Sequence, residues 1–195
     1  METALQNETL VELTALLGLE PENSGERLVA LSKFSPRYLK DLKVNISNML
    51  RLESLSEREK MLLVLTVAVN ERHALLSDCF EKKSRSAGAS DEEIAEVFAC
   101  VSMLQANNIF YRFRHFTKKE FYEKTPAGIK MTIMMSPVLG KEFFELLSLC
   151  ISALNGCELC VSSHEQSVLR HGGSEQRIFD SIRLTSVFKG LVGLI

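Results

Sequence analysis

Apolar residues recur at three- and four-residue spacing along most of the chain, which is the periodicity of an amphipathic α-helix. The pattern covers residues 10–19, 28–50, 61–76, 94–110, 143–154 and 178–191. Few segments alternate strictly between apolar and polar positions, and only four prolines occur in 195 residues, so evidence for strands is poor. The pattern predicts an all-α fold.

Local signals at the ends of these runs support the same fold class. Ser56 with Glu59, and Ser90 with Glu93, have the capping-box spacing that satisfies free backbone N–H groups at a helix start. Turn-forming residues interrupt the pattern at 21–25, 87–89, 125–126, 136–137, 155–156 and 172–173. These breaks predict about eight or more helices.

The chain also contains an internal repeat, because residues 58–107 resemble residues 142–191 after a shift of 84 positions. The matched pairs include Gly88 with Gly172, Ser90 with Ser174, Asp91 with Glu175 and Ile94 with Ile178. A duplicated helical core is therefore predicted. We expect N-terminal helices in 1–55, a first repeat in 56–125 and a second repeat in 126–195, packed as one compact unit.

Only the second repeat has the complete set of reactive side chains. Its residues Glu145, Cys157, Cys160 and His164 align with Met61, His73, Leu76 and Phe80 of the first. We therefore expect the first repeat to be catalytically degenerate and the second to carry the chemistry.

The reactive residues follow a glycine break at Gly156. The spacing of Cys157, Cys160 and His164 places them on one face at the start of a helix, where free N–H groups and the helix dipole favour a thiolate. Glu145 lies on the preceding helix, which can fold back beside them, so that glutamate, histidine and thiol could relay protons. On this argument alone, Cys157 is the more acidic thiol.

Composition narrows the partners and the compartment. The chain has 23 basic and 25 acidic residues, and this balance disfavours nucleic acid and anionic membranes as partners. The N-terminus lacks the pattern of a signal peptide, and no stretch is long enough to span a bilayer, so we expect a cytoplasmic protein. In a reducing compartment, a close cysteine pair is typical of redox chemistry or metal binding.

Two other interpretations of the cysteines remain open at this point. Cys157, Cys160, His164 and His171 could bind a structural zinc ion, although their spacing matches no common zinc module. The pair could also be merely buried. The three other cysteines lie in apolar helical runs and are interpreted as core residues: Cys79, Cys100 and Cys150.

Two further segments have structural interpretations. Residues 107–116 mix aromatic rings with cations, and we expect them to lie at a domain or subunit junction with their arginines in ion pairs. Met131, Met134 and Met135 are expected to pack in the core or in a subunit contact.

At these residues the chain resembles the alkyl hydroperoxidase D family of the carboxymuconolactone decarboxylase-like superfamily. The matching segments are Asn108-Ile109-Phe110-Tyr111-Arg112, Arg114-His115-Phe116, Phe144-Glu145-Leu146, Ile151-Ser152-Ala153-Leu154-Asn155-Gly156-Cys157, Cys160 and His164-Glu165. The resemblance extends from Ser56 to the C-terminus.

The resemblance implies a thiol-dependent alkyl hydroperoxide reductase without a metal or bound cofactor, commonly a homotrimer. Cys160 would be the peroxidatic cysteine that becomes a sulfenic acid, and Cys157 the resolving thiol that closes a disulfide with it. Glu145 and His164 would relay protons.

The same resemblance implies an electron supply and a recipient. Dihydrolipoamide on a lipoyl-bearing 2-oxo acid dehydrogenase component, or another dithiol, would reduce the pair, which could in turn reduce a peroxiredoxin of the alkyl hydroperoxide reductase C type. Well-known members have a histidine where this chain has Leu159. That difference affects peroxidase turnover more than dithiol exchange, so a non-peroxidase redox adaptor is the alternative function.

Overall fold

The computed structural model describes residues 7–195, and within them it contains ten α-helices, two short 3-10 helices and no strand. The α-helices are α1 Glu8–Leu17, α2 Glu26–Phe34, α3 Pro36–Leu50, α4 Glu57–Asn70, α5 Ala74–Ser86, α6 Asp91–Thr117, α7 Glu120–Lys124, α8 Lys141–Leu154, α9 Glu158–Arg170 and α10 Glu175–Val192. The 3-10 helices are Pro21–Asn23 and Thr132–Met135. The predicted all-α fold is confirmed.

Both capping boxes are present where the sequence predicts them. The Ser56 hydroxyl accepts from the Glu59 N–H at 3.3 Å, and the Glu59 carboxylate accepts from the Ser56 N–H at 2.8 Å. Ser90 and Glu93 form the same reciprocal pair at 3.2 and 2.9 Å. These caps begin α4 and α6.

Two of the predicted helical runs are each divided into two helices. The run 28–50 breaks at Pro36, which begins α3 because proline lacks the N–H that a continuing helix would need. The run 61–76 breaks after Asn70, where Arg72 adopts a left-handed φ of 57°. His73 then caps α5 by accepting the Leu76 N–H at 3.3 Å.

Helices α4 and α8 form the centre of the core. They are buried around nearly their whole circumference, because their sequences are apolar on almost every face. Helices α6 and α10 each pack against both of them, while α5 lies beside α4 and α9 lies beside α8. The N-terminal helices join this core through α3, which packs against α10.

The offset of 84 residues recurs in the observed helices. Helices α4, α5 and α6 begin at residues 57, 74 and 91, and α8, α9 and α10 begin at residues 141, 158 and 175. An ion pair follows the same offset with its charges exchanged: Arg58 binds Glu93, and Glu142 binds Arg177 at 2.9 Å. The division at residues 55 and 125 stays a prediction.

Buried carboxylates hold the segments that precede the two central helices. Glu96 on α6 accepts the backbone N–H groups of Val138 and Leu139 at 2.8 and 2.7 Å. Asp180 on α10, at the equivalent position, accepts the Ser54 hydroxyl at 2.7 Å. The chain entering α8 is therefore anchored to a different helix, which fixes the direction from which Glu145 enters the core.

None of the helices in the described range combines the length and the apolar character needed to cross a bilayer. The expected absence of a signal peptide concerns the first residues of the chain, and residues 1–6 lie outside the described range.

Replacing Arg177 by methionine should lower the free energy of unfolding by about 2 to 3 kcal/mol, because two partly buried carboxylates, Glu59 and Glu142, lose their shared cation. Burial alone would raise the pKa of Glu59, but hydrogen bonds from Arg177 and Ser56 outweigh it and lower that pKa below its ordinary 4.5. The ion pair therefore stabilises the fold above that pH, and its contribution is lost as the pH falls through the lowered pKa of Glu59.

Urea unfolding at pH 7 and at pH 3.5 measures this difference. Arg85→Met is the control, because Arg85 forms its ion pairs at an exposed position. An Arg177→Met deficit that is equally large at both pH values would contradict the electrostatic explanation.

Candidate active site

A tight turn between α8 and α9 brings the reactive residues of both helices together. Gly156 has a φ of 68°, a left-handed conformation that side chains with a Cβ rarely adopt. The Cys157 N–H donates to the Ser152 carbonyl at 3.0 Å and closes the turn. Helix α9 consequently runs back along α8.

A network of buried amides holds this turn in place. The Asn155 side chain donates to Asn108 at 2.9 Å and accepts from Asn70 at 3.2 Å, and Asn108 donates to Ser152 at 3.1 Å. The Arg112 guanidinium donates to the Asn155 carbonyl at 2.5 Å. The turn before Cys157 is therefore tied to α4 and α6, which explains why Asn108 in the segment 107–116 is buried.

The two cysteines of the predicted pair are joined as a disulfide, with an S–S distance of 2.09 Å. Cys157 is the N-cap residue of α9, and Cys160 lies in its first turn. Their exposure differs, since Cys157 is 1% exposed and Cys160 is 7% exposed and lines a cavity. Cys160 is thus the sulfur that a small molecule in this cavity could reach.

Glu145 and His164 meet beside this pair, as their spacing predicts. The His164 Nδ1 atom lies 2.7 Å from Glu145 Oε2, and the carboxylate is only 3% exposed. Burial alone would raise the pKa of Glu145, but His164 and then Lys141 outweigh it, so that this pKa lies below its ordinary value. Glu145 is therefore ionised at neutral pH and can orient the imidazole.

The cavity next to Cys160 has a volume of about 390 Å³ and is partly open to solvent. Its lining is mainly apolar and comes from α6, the 3-10 segment and α9: Leu104, Asn107, Tyr111, Met131, Met134, Leu159, Cys160, Ser163 and His164. The Asn107 amide donates to Met131 Sδ at 2.9 Å, while its buried oxygen has no hydrogen-bond partner. A volume of this size suits a small organic molecule.

The three methionines have different environments, which only partly match the expected packing role. Met134 packs against the core, and it lines the cavity together with Met131. Met135 is 82% exposed. The α-helical periodicity could not separate them, because they lie in a short 3-10 helix and at its N-cap, between α7 and α8.

The expectation that the arginines of the segment 107–116 form ion pairs is wrong. We expected them in ion pairs, but among the described residues they bind backbone carbonyls instead. Arg112 donates to Asn155, and Arg114 donates to Thr125 while its guanidinium lies 4.5 Å from the centre of the Phe110 ring. Carbonyls that end a helix or a turn are acceptors that a sequence pattern does not reveal.

The remaining cysteines are placed largely as expected. Cys100 and Cys150 are fully buried in the core, and burial raises the pKa of each thiol to about 12. Cys79 is only partly buried at the edge of the core, where desolvation raises its pKa. None of these thiols has the environment of a reactive nucleophile.

The zinc interpretation receives no support from the geometry. In the part of the chain that the structure describes, no three His, Cys, Asp or Glu side chains are arranged to hold a metal ion. The His171 Nδ1 atom lies 2.7 Å from the Ser167 carbonyl of its own helix. His171 therefore ends α9 and does not join the pair.

Lys141 is a residue that the sequence analysis missed. Its ammonium group lies 3.1 Å from Glu145 Oε1 and also donates to the Met134 carbonyl. The spacing of four residues to Glu145 on one helix was the available signal.

Comparison with known proteins places this architecture among the carboxymuconolactone decarboxylase-like proteins. The model of the carboxymuconolactone decarboxylase family matches residues 122–191. A solved structure described as a gamma-carboxymuconolactone decarboxylase subunit, from Burkholderia xenovorans LB400, superposes with a TM-score of 0.69. The alignment covers 95% of this chain and 91% of that one at 16% identity, which establishes the shared fold alone.

Curated relatives have higher sequence identity to this chain than that solved structure has. The alkyl hydroperoxide reductase AhpD of Maricaulis maris (strain MCS10) is 33% identical over 168 residues, which are 85% of this chain and 95% of the relative. The protein of the same name from Coxiella burnetii (strain RSA 493 / Nine Mile phase I) is 35% identical over 159 residues, or 80% and 89% of the two chains. The chain belongs to the AhpD family.

Alkylation of the reduced native protein with iodoacetamide should label Cys160 and leave Cys100 and Cys150 unmodified, because burial keeps the latter two thiols protonated and out of contact with the reagent. Mass mapping of the peptides measures the pattern. In guanidinium chloride all five cysteines should react, which controls for reagent and detection. Rapid native labelling of Cys100 would contradict the assignment of these thiols to the core.

Proposed function

We propose that the protein is a thiol-dependent alkyl hydroperoxide reductase that works through the Cys157–Cys160 pair. The observation that carries the proposal is that the bonded Cys160 and the imidazole of the Glu145–His164 pair line the same cavity. The names of the relatives from Maricaulis maris and Coxiella burnetii support the same reaction.

In the proposed reaction, the Cys160 thiolate attacks the terminal oxygen of the hydroperoxide and the O–O bond breaks. Cys160 becomes a sulfenic acid, and the alkoxide leaves as an alcohol after taking up a proton. Cys157 then attacks the sulfenic sulfur, so that the disulfide forms and water leaves. An external dithiol reduces the disulfide and is itself oxidised.

Exposure supports the choice of Cys160 as the peroxidatic residue. Cys160 lines the cavity, whereas Cys157 is sealed behind it at the N-cap of α9. Cys157 would therefore act as the resolving thiol. Glu145 and His164 would accept the proton of the attacking thiol and return it to the leaving alkoxide.

The electron donor and the recipient are further parts of the proposal. Dihydrolipoamide, carried by a lipoyl-bearing dehydrogenase component, or another small dithiol is the proposed reductant, and no bound cofactor is required. A peroxiredoxin of the alkyl hydroperoxide reductase C type is the proposed recipient of electrons. The proposed compartment is the cytoplasm.

We also propose that the protein assembles as a homo-oligomer, with a trimer as the expected form. Ile109, Phe113 and Phe116 are exposed at helical spacing on the second half of α6, and Phe121 extends this apolar surface onto α7. An exposed apolar surface of this kind is typical of a subunit interface.

Replacing Cys160 by serine should abolish consumption of cumene hydroperoxide, because a hydroxyl is not ionised at neutral pH and is a poor nucleophile. Cys157→Ser should allow one turnover and then stop at the sulfenic acid. Peroxide loss is measured with dithiothreitol as reductant for Cys160→Ser. For Cys157→Ser it is measured on pre-reduced protein freed of dithiothreitol, because an external thiol would itself reduce the sulfenic acid. Cys79→Ser is the control, since this half-buried thiol lies on α5 in the first repeat and should leave the rate unchanged.

Counting thiols before and after addition of one equivalent of hydroperoxide decides between a peroxidase and a redox adaptor. A peroxidase should lose two thiols rapidly, and mass mapping should locate the new bond at Cys157–Cys160. Retention of both thiols, with rapid exchange between the disulfide and dihydrolipoamide, would refute the peroxidase and favour the adaptor. Full activity of Cys160→Ser would refute both.

Replacing Ile109 and Phe116 together by serine should lower the molar mass of the assembly in solution, because the α6 surface loses apolar area that association would bury. Size-exclusion chromatography with light scattering measures the mass. Phe34→Ser removes an even more exposed ring from α2 and should leave the mass unchanged. An unaltered mass for the α6 variant would show that this surface is not the interface.

A further inference from the structure

Lys141 connects two parts of the site that are separate in sequence. Its ammonium group lies 3.1 Å from Glu145 Oε1 and donates to the backbone carbonyl of Met134. Glu145 is the buried carboxylate of the relay, and Met134 belongs to the 3-10 segment that forms one wall of the cavity. One side chain therefore contacts both the proton relay and the cavity wall.

Each oxygen of the Glu145 carboxylate has its own basic partner. Oε2 faces His164 on α9, and Oε1 faces Lys141 on α8. The ammonium group of Lys141 balances the carboxylate without requiring a proton on the imidazole. If the lysine charge is removed, the carboxylate attracts a proton to His164 more strongly.

Other charged groups near α8 do not supply this balance. From α6, Cys100 faces Glu145 as an uncharged thiol, and Glu96 is engaged by the Val138 and Leu139 N–H groups.

From α10 and α4, Arg177 and Glu59 are packed near α8, but they form a network with Glu142, almost one turn before Glu145. Glu145 is influenced by the charges of His164 and Lys141, and Lys141 is the cation that does not depend on the state of the imidazole.

We infer that Lys141 is a positioning residue of the site: it keeps the Glu145–His164 pair able to accept a proton at neutral pH and fixes the Met134 wall over Cys160. The inference rests on the proposed peroxidase for its effect on turnover. Its effect on the protonation of His164 is a property of the folded protein and can be measured without any activity.

The first measurement is an NMR titration of the His164 imidazole in the oxidised protein, assigned among the four histidines by the loss of its signals in His164→Gln. In Lys141→Met the midpoint should move to higher pH by about one unit, because a positive charge next to the carboxylate is lost. Lys141→Arg restores the charge and should return the midpoint toward that of the wild type. Lys43→Met removes a lysine that pairs with Glu12 on α1 and should leave the midpoint unchanged.

The second measurement is the pH profile of peroxide reduction. In Lys141→Met the acidic limb should move upward by a similar interval, so that the rate falls by up to about tenfold on that limb and much less on the plateau at higher pH. The KM for a bulky hydroperoxide should rise more than that for hydrogen peroxide, because the Met134 wall loses its tether.

The outcomes separate the two proposals. If the wild type consumes no peroxide, the proposed function fails, while the NMR titration still decides the role of Lys141. If the His164 midpoint is the same in Lys141→Met and the wild type, the positioning role is refuted whatever the activity. Equal loss of rate at every pH, with no change of midpoint, would assign Lys141 a purely structural role. Circular dichroism controls for folding of each variant, and Lys141, in the first turn of α8, is only partly buried.

Discussion

The site depends on a carboxylate held inside an apolar helix. Glu145 is surrounded along α8 by leucine and phenylalanine side chains, where an unpaired charge would be strongly unfavourable. His164 and Lys141 make the buried charge stable, and both must approach from fixed directions. The Gly156 turn brings α9 with His164 to Glu145, and Lys141 lies one turn earlier on α8 itself, just after the segment anchored by Glu96. Much of the surrounding architecture therefore serves to satisfy one buried charge.

The two halves of the core show how the same helices can be either inert or reactive. Met61 occupies on α4 the position that Glu145 occupies on α8, and it is buried without needing a partner. His73 caps α5 with its imidazole, whereas Cys157 at the equivalent N-cap position of α9 bonds to Cys160. The turn geometry is retained as well, since Arg72 takes the left-handed conformation that Gly156 takes later. A few side-chain differences thus distinguish the first repeat, whose equivalent residues pack or cap helices, from the second repeat, which carries the reactive residues.

Much of the fold could be predicted from the sequence, because helical periodicity and capping boxes are local signals. The boundaries at Ser56 and Ser90, and the glycine turn before Cys157, depend on neighbouring residues only. The apolar pattern did not show that the runs 28–50 and 61–76 are each divided into two helices. A proline or a left-handed residue can end a helix without interrupting its apolar pattern.

The candidate site likewise contains one contact that local spacing predicts and several that it does not. The meeting of Glu145 with His164 follows from the spacing around a turn, and the structure has it at 2.7 Å. The cavity, the carbonyl partners of Arg112 and the double contact of Lys141 depend on how α6 and the irregular segment around Met134 pack against α9. No local pattern specifies such contacts between distant segments, so they could only be observed.

The unequal exposure of the two bonded sulfurs affects which molecules can reach the site and in what order. A molecule that fills the cavity would hinder a second molecule from reaching Cys160. In the proposed reaction, the oxidant and the electron donor would therefore reach Cys160 in turn, through the same cavity. A cavity of about 390 Å³ also admits a slender arm but no folded domain, so a protein donor would need to deliver its electrons on a flexible tether.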